Sequence, residues 1–102
     1  MNILNKIKKI NHYCATQAVA AKMNTDNKFR EFVCSSLNRF HQADWGEMSI
    51  EDKKTNDEAL ETGERILAYY ENRDKNEIYI IADAADDKNC RNAITVLFPE
   101  EY

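Results

Sequence analysis

The chain has 102 residues, 43% of them hydrophobic, and a net charge of −4. That is the size of one domain, with enough apolar content for one packed core and too much for a disordered chain. No apolar run approaches the ~18 residues of a membrane span, and the opening stretch alternates lysine with isoleucine instead of building a signal peptide's apolar segment. Cys14, Cys34 and Cys90 are odd in number and widely spaced. They read as free thiols of a reducing compartment, which places the protein in the cytosol of a microbial or host cell.

Ile3, Leu4, Ile7 and Ile10 fall at helical spacing with Lys6, Lys8 and Lys9 between them, predicting a short helix over 3–10 or a strand running to Tyr13. The alanine-rich stretch from Thr16 to Met23 reads as a second short helix, stopped by Asn24, Thr25 and Asp26. Phe29, Phe32, Val33, Ser36, Leu37 and Phe40 make one stripe of 3.6-residue period, predicting an amphipathic helix over 27–41 capped by Thr25 or Asp26.

Ser49 and Asp52 have the spacing of a capping box at the start of another helix. Asn56, Leu60, Gly63, Leu67 and Tyr70 then share a face, so this helix is predicted from about 50 to 71. Gly63 on that stripe costs about 1 kcal/mol relative to alanine and is the expected seat of the Trp45 ring. Residues 78–82 and 93–98 are β-branched and aromatic and read as two strands, with the polar stretch 83–92 as their hairpin loop. Only two glycines and one proline signal few turns, which favours helices over a many-stranded barrel. The predicted architecture is a single α+β domain over 1–102. Three or four helices, occupying the chain to residue 71, pack on a C-terminal antiparallel β-hairpin over 77–98.

Charge is distributed unevenly. Residues 1–41 carry seven basic and two acidic groups, 42–77 carry five basic and eleven acidic, and 78–102 carry two basic and five acidic. Solvated faces account for much of this, but an acidic face that meets a basic partner is the sharper reading. Lys6, Lys8, Lys9, Lys22, Lys28, Arg30 and Arg39, with Tyr13 for stacking, could contact nucleic acid. The overall acidity makes that the secondary reading.

No reaction is signalled. His12 with Cys14, and Cys34 with His41, lack the paired spacing of a zinc module, so neither a metal nor another cofactor is expected. Cys34 reads as a small core residue. Cys14 beside a histidine would need backbone donors from a glycine-rich turn, and the only glycines are Gly46 and Gly63. Asp83, Asp86, Asp87 and Asn89 lack the glycine and closing glutamate of a calcium loop.

One set of residues is familiar. Asp44, Trp45 and Gly46 are followed by Glu51, Asp52, Asn56, Ala59, Leu60 and Gly63. Further on come the strand Ile78 to Ile81, Arg91, and the stretch from Thr95 to the terminal Pro99, Glu100, Glu101 and Tyr102. Over residues 40–102 this resembles a family of roughly hundred-residue proteins carried on plasmids, prophages and integrative elements of Firmicutes. That family shares a GDWG…ED…N…AL segment, a strand like IWIIT and a C-terminal TTILLPEEY. The chain departs from it with Ala43 in place of glycine, a longer hairpin loop and a basic N-terminus.

The resemblance implies no known reaction. It implies an accessory protein of a mobile element, a class in which anti-CRISPR inhibitors of host defence are common. On this reading the chain is a non-enzymatic binding protein whose partner is a CRISPR effector or another host nuclease. Its candidate contacts are Asp57, Glu58, Glu61 and Glu64 on the long helix, then Asp83, Asp86, Asp87 and Arg91 around the hairpin loop, and Glu100 and Glu101 at the end. Trp45, Gly63, Ser49, Asp52 and Tyr102 are assigned to structure, with Tyr102 folding back beside Pro99 to close the core.

Overall fold

A computed structural model of the chain describes residues 6, 7 and 9–102. In chain order it contains β1 (Ile10–Ala15), α1 (Gln17–Thr25), α2 (Asn27–His41), α3 (Ile50–Thr62), β2 (Ile66–Glu71), β3 (Glu77–Ala82), β4 (Arg91–Leu97) and a short 3-10 turn, Pro99–Glu101. The helix expected over 3–10 falls largely outside the described residues, and from Ile10 the chain is a strand.

Side-chain caps set the helix starts. The Thr16 hydroxyl accepts from the Val19 amide at 3.3 Å, the Asp26 carboxylate from the Phe29 amide at 3.1 Å, and the Ser49 hydroxyl from the Asp52 amide at 3.1 Å. Each satisfies one of the free donors of a first helical turn. α2 spans 27–41 and buries Phe29, Val33, Ser36 and Phe40, the stripe read from its sequence.

The helix predicted from about 50 to 71 stops at Thr62. Gly63 follows it at φ +83°, and its amide donates to Ala59 O at 2.9 Å. A left-handed residue at this position ends a helix, and glycine adopts it without strain. Leu67 and Tyr70, counted into the helical stripe, belong to β2 instead. There the relevant period is two: Ile66, Ala68 and Tyr70 are buried in alternation. The expected seat of Trp45 is overturned as well. A Cβ on Gly63 would meet only Ala85, at 3.2 Å. Trp45 is 2% exposed and sits edge-on to Phe40, with ring centroids 5.3 Å apart. Its indole N–H donates to Asp57 at 2.9 Å. Gly63→Ala is therefore expected to cost about 1–2 kcal/mol through its backbone angle alone, read as a lower midpoint in urea denaturation.

The strands are not confined to a C-terminal hairpin. They form one four-stranded mixed sheet in the order β1-β4-β3-β2. β3 runs antiparallel to both β2 and β4, and β1 lies parallel to β4. α1 and α2 supply the connection that a β1 strand lying parallel to its neighbour requires. One face of the sheet presents Ala68, Tyr70, Ile78, Ile80, Ile94 and Val96 to the core, where they join Val19, Phe29, Val33 and Phe40. The other face carries Leu67, Tyr69, Tyr79, Ile81 and Thr95, all half-buried. Tyr102, expected to close the core, lies instead beside Tyr79 on this second face and is 60% exposed. Arg65 donates to its hydroxyl at 2.8 Å.

The two edges of the sheet differ. Along β2, the Asn56 amide donates to Leu67 O at 2.8 Å, its side-chain oxygen accepts from Leu67 N at 3.4 Å, and Glu47 N donates to Tyr69 O at 2.8 Å. The buried Asn56 side chain thus substitutes for a neighbouring strand, and Gly46 forms a parallel bridge with Tyr69. Along β1, every residue from Asn11 to Ala15 is exposed.

Candidate acidic interaction surface

α3 lies against β2 with Asn56 and Ala59 turned inward. Glu51, Asp57, Glu58 and Glu61 are left exposed, and Glu64 is exposed just beyond the helix end. From Asp57 to Glu64 the carboxylates fall within about 10 Å along the helix direction. Among the described residues no ion pair engages them; the ion pairs join Arg39 to Asp44 at 2.8 Å and to Glu47 at 3.8 Å. Asp57 has a second duty, since it holds the Trp45 indole.

The loop after β3 joins this surface at the end of α3. Ala85 N donates to Gly63 O at 2.7 Å, so the turn that ends α3 and the 83–90 loop are bound together. Within the loop, one Asp86 oxygen accepts from the amides of Lys88 and Cys90, each at 2.9 Å. Asp86 therefore shapes the loop that displays it, while Asp87 is exposed at its tip.

Arg91, expected to face a partner, is 5% exposed. Its guanidinium donates to Glu64 O at 2.7 Å, to Asp83 O at 2.9 Å and to Ala59 O at 2.9 Å. Burial lowers its pKa from the ordinary arginine value. The residue is a clamp that ties the last turn of α3, the 63–65 turn and the loop after β3. It holds the acidic surface together from beneath and does not form part of it.

Glu100 and Glu101 are not brought to this place. They follow β4, whose seven residues separate them by about 20 Å from Arg91 at its start. Glu101 accepts from the Thr16 hydroxyl at 2.9 Å and from Phe98 N at 2.8 Å, which fixes the C-terminal turn to the end of β1. A pair absent from the sequence reading also lies at that end of the sheet: Glu71 and Glu77 face each other across β2 and β3. The Tyr69 hydroxyl lies within hydrogen-bond reach of both, 3.1 Å from Glu71, and the bond to Glu77 is the main cause of its raised pKa. The strand-opposed register that joins them was hidden while β2 was read as helix.

The basic residues of the first third are partly committed. Lys22 donates to Asn76 at 3.0 Å, Arg30 to Met23 O at 3.3 Å and to Asn27, and Arg39 to Asp44 at 2.8 Å. Arg39 holds the Asp44 carboxyl below its usual pKa. Cys34, expected in the core, is exposed on α2, as is Cys14 on β1. His41 stands 2.7 Å from the Tyr13 hydroxyl, and burial lowers its pKa. Among the described residues no three histidine, cysteine or acidic groups gather as a metal site would require, and no helix is long and apolar enough to cross a membrane. No family model, curated protein or solved structure matches this chain.

Proposed function

We propose that this chain is a non-enzymatic binding protein of the anti-CRISPR type, which covers a basic, nucleic-acid-binding surface of a host defence nuclease with its own acidic surface. The observation that carries the reading is the band of exposed carboxylates at Asp57, Glu58, Glu61 and Glu64, adjoining Asp86 and Asp87 through the turn that Arg91 clamps. Carboxylates fixed on a rigid helix imitate a run of phosphates, and a charged surface of this kind speeds encounter with a basic partner. The resemblance of residues 40–102 to small mobile-element proteins supplies the class of partner.

The experiment is a pull-down of CRISPR effectors by the purified chain, with and without guide RNA. Retention of an effector that is lost on addition of its DNA target supports the reading. No effector retained, and no protection of phage or plasmid, removes it. A triple charge reversal, Glu58→Lys, Glu61→Lys and Glu64→Lys, is expected to slow association on the order of tenfold or more at low salt. The same changes are expected to move stability by only about 0.5 kcal/mol each, because the side chains are exposed. Stopped-flow association and thermal melts check the two halves of that prediction. Nucleic acid held by the basic first third is the competing reading. The internal partners of Lys22, Arg30 and Arg39 weigh against it, and a salt-sensitive electrophoretic shift on DNA or RNA would favour it.

A further inference from the structure

We propose that the chain forms a symmetric dimer in which β1 pairs antiparallel with β1 of a second copy, joining two four-stranded sheets into one. The inference starts from the unequal edges of the sheet. The β2 edge is closed by Asn56, Gly46 and Glu47. Among the described residues nothing pairs with the outer edge of β1. Exposed edges of single-domain proteins are ordinarily blunted by lysine, proline or a bulge. β1 reads Ile10, Asn11, His12, Tyr13, Cys14, Ala15 and contains none of these residue types.

The backbone phase of β1 is defined. Arg91 N donates to Lys9 O at 3.0 Å, so Lys9 turns its carbonyl toward β4. Thr16 N donates to Val96 O at 3.1 Å and Asp83 N to Ala93 O at 3.0 Å, so past the start of the strand the even-numbered residues of β4 face β1. Backbone groups alternate sides along a strand, so His12 and Cys14 turn theirs toward β4, while Tyr13 and Ala15 present theirs outward. Outward groups at Tyr13 and Ala15 suit an antiparallel pair centred on Tyr13.

Charge chooses a second copy as the occupant. The strand is uncharged, but its ends are not. Lys9 stands at its start, and Glu101 is held at its other end by the Thr16 hydroxyl at 2.9 Å. A two-fold axis through the middle of β1 brings Lys9 of each copy opposite the Ala15–Gln17 stretch of the other, where Glu101 lies. The same contact then occurs twice, as a two-fold interface requires. The axis is perpendicular to the sheet, so both Tyr13 rings stay on the helix side. Tyr13 is 59% exposed in the single chain and borders an apolar cleft of about 190 Å³ between β1 and α2, lined also by Met23, Val33 and Leu37. Pairing places the second copy's Tyr13 at the mouth of this cleft. α3 lies at the opposite edge, so the acidic surface of each copy remains open and the inference stands apart from the proposed function.

Sedimentation velocity of the full chain over a concentration series tests it. The expected result is a monomer–dimer equilibrium that weakens as salt is raised. Ala15→Pro removes an outward N–H and no bond to β4, and is expected to be folded by circular dichroism and monomeric where the wild type is dimeric. Lys9→Glu is expected to weaken the dimer about tenfold through two repulsive contacts. A chain that is monomeric at its highest soluble concentration overturns the proposal. So does a folded Ala15→Pro that still dimerises. If Ala15→Pro fails to fold, Lys9→Glu decides: an unchanged dissociation constant overturns the proposal, and a weakened one supports it.

Discussion

Gly46→Ala is expected to be among the most destabilising single changes in the chain. Gly46 has φ +77°, where a side chain is strained whatever the space, and here there is no space. A Cβ would lie 2.1 Å from Tyr69 O and 2.7 and 2.9 Å from the Tyr70 ring. Neither neighbour can yield. Tyr69 O accepts from Glu47 N, and the Tyr70 hydroxyl is fixed on Asp44 O at 2.7 Å with the Arg39 guanidinium 5.1 Å from its ring. Left-handed strain costs roughly 1–2 kcal/mol and overpacking roughly 1–3 kcal/mol, so a loss of about 2–5 kcal/mol is expected. That is a large share of the ~5–15 kcal/mol by which a domain of this size is stable. Urea denaturation monitored by Trp45 fluorescence measures it directly, since the indole is adjacent in sequence and buried. A midpoint close to wild type would show that the 44–47 segment does not pack on β2 as described.

Arg91→Met should be comparably damaging, for a different reason. Methionine keeps much of the apolar stem but removes every donor, which leaves the carbonyls of Ala59, Asp83 and Glu64 without the guanidinium that joins them. A buried acceptor stripped of its partner costs roughly 1–3 kcal/mol, and a total of about 3–5 kcal/mol is expected. Ala59 O also accepts from Gly63 N, so that carbonyl retains one bond, which moderates the loss. Arg91→Lys should be intermediate, because a single ammonium cannot span the fork geometry that reaches three carbonyls from two directions. If Arg91 were a partner contact, Arg91→Met would melt like the wild type and lose only binding. Thermal melts of the isolated chain separate the two cases without any partner.

How much of this could be read from the sequence varies by element. α2 was legible because its stripe of phenylalanines repeats at 3.6 residues and is buried as a stripe. β3 and β4 were legible from their β-branched runs. Gly63, counted into a helical stripe, carries the neighbouring residues with it. Leu67 and Tyr70 lie four and seven positions from it, which suits a helix, while Ile66, Ala68 and Tyr70 suit a strand equally well. Tertiary pairing with β3 decides between the two periods, and a sequence window does not contain it. β1 gave almost no signal, because an edge strand exposed on both faces has no buried alternation to display. The acidic residues of α3 were legible as exposed, since charge on an amphipathic helix has few other places to go. Arg91 was misread for the opposite reason. It lies among polar loop residues in sequence, and only the fold brings three carbonyls around it.

The most direct test of the proposed function is displacement of bound DNA from a guide-loaded CRISPR effector retained by the chain. Increasing amounts of wild-type protein, and of the Glu58→Lys, Glu61→Lys, Glu64→Lys variant, would be added at two salt concentrations. The wild type should displace DNA, more weakly at high salt, and the variant should fail while melting at the wild-type temperature. Equal displacement by the two proteins, or none by either, would contradict the assignment of the α3 surface.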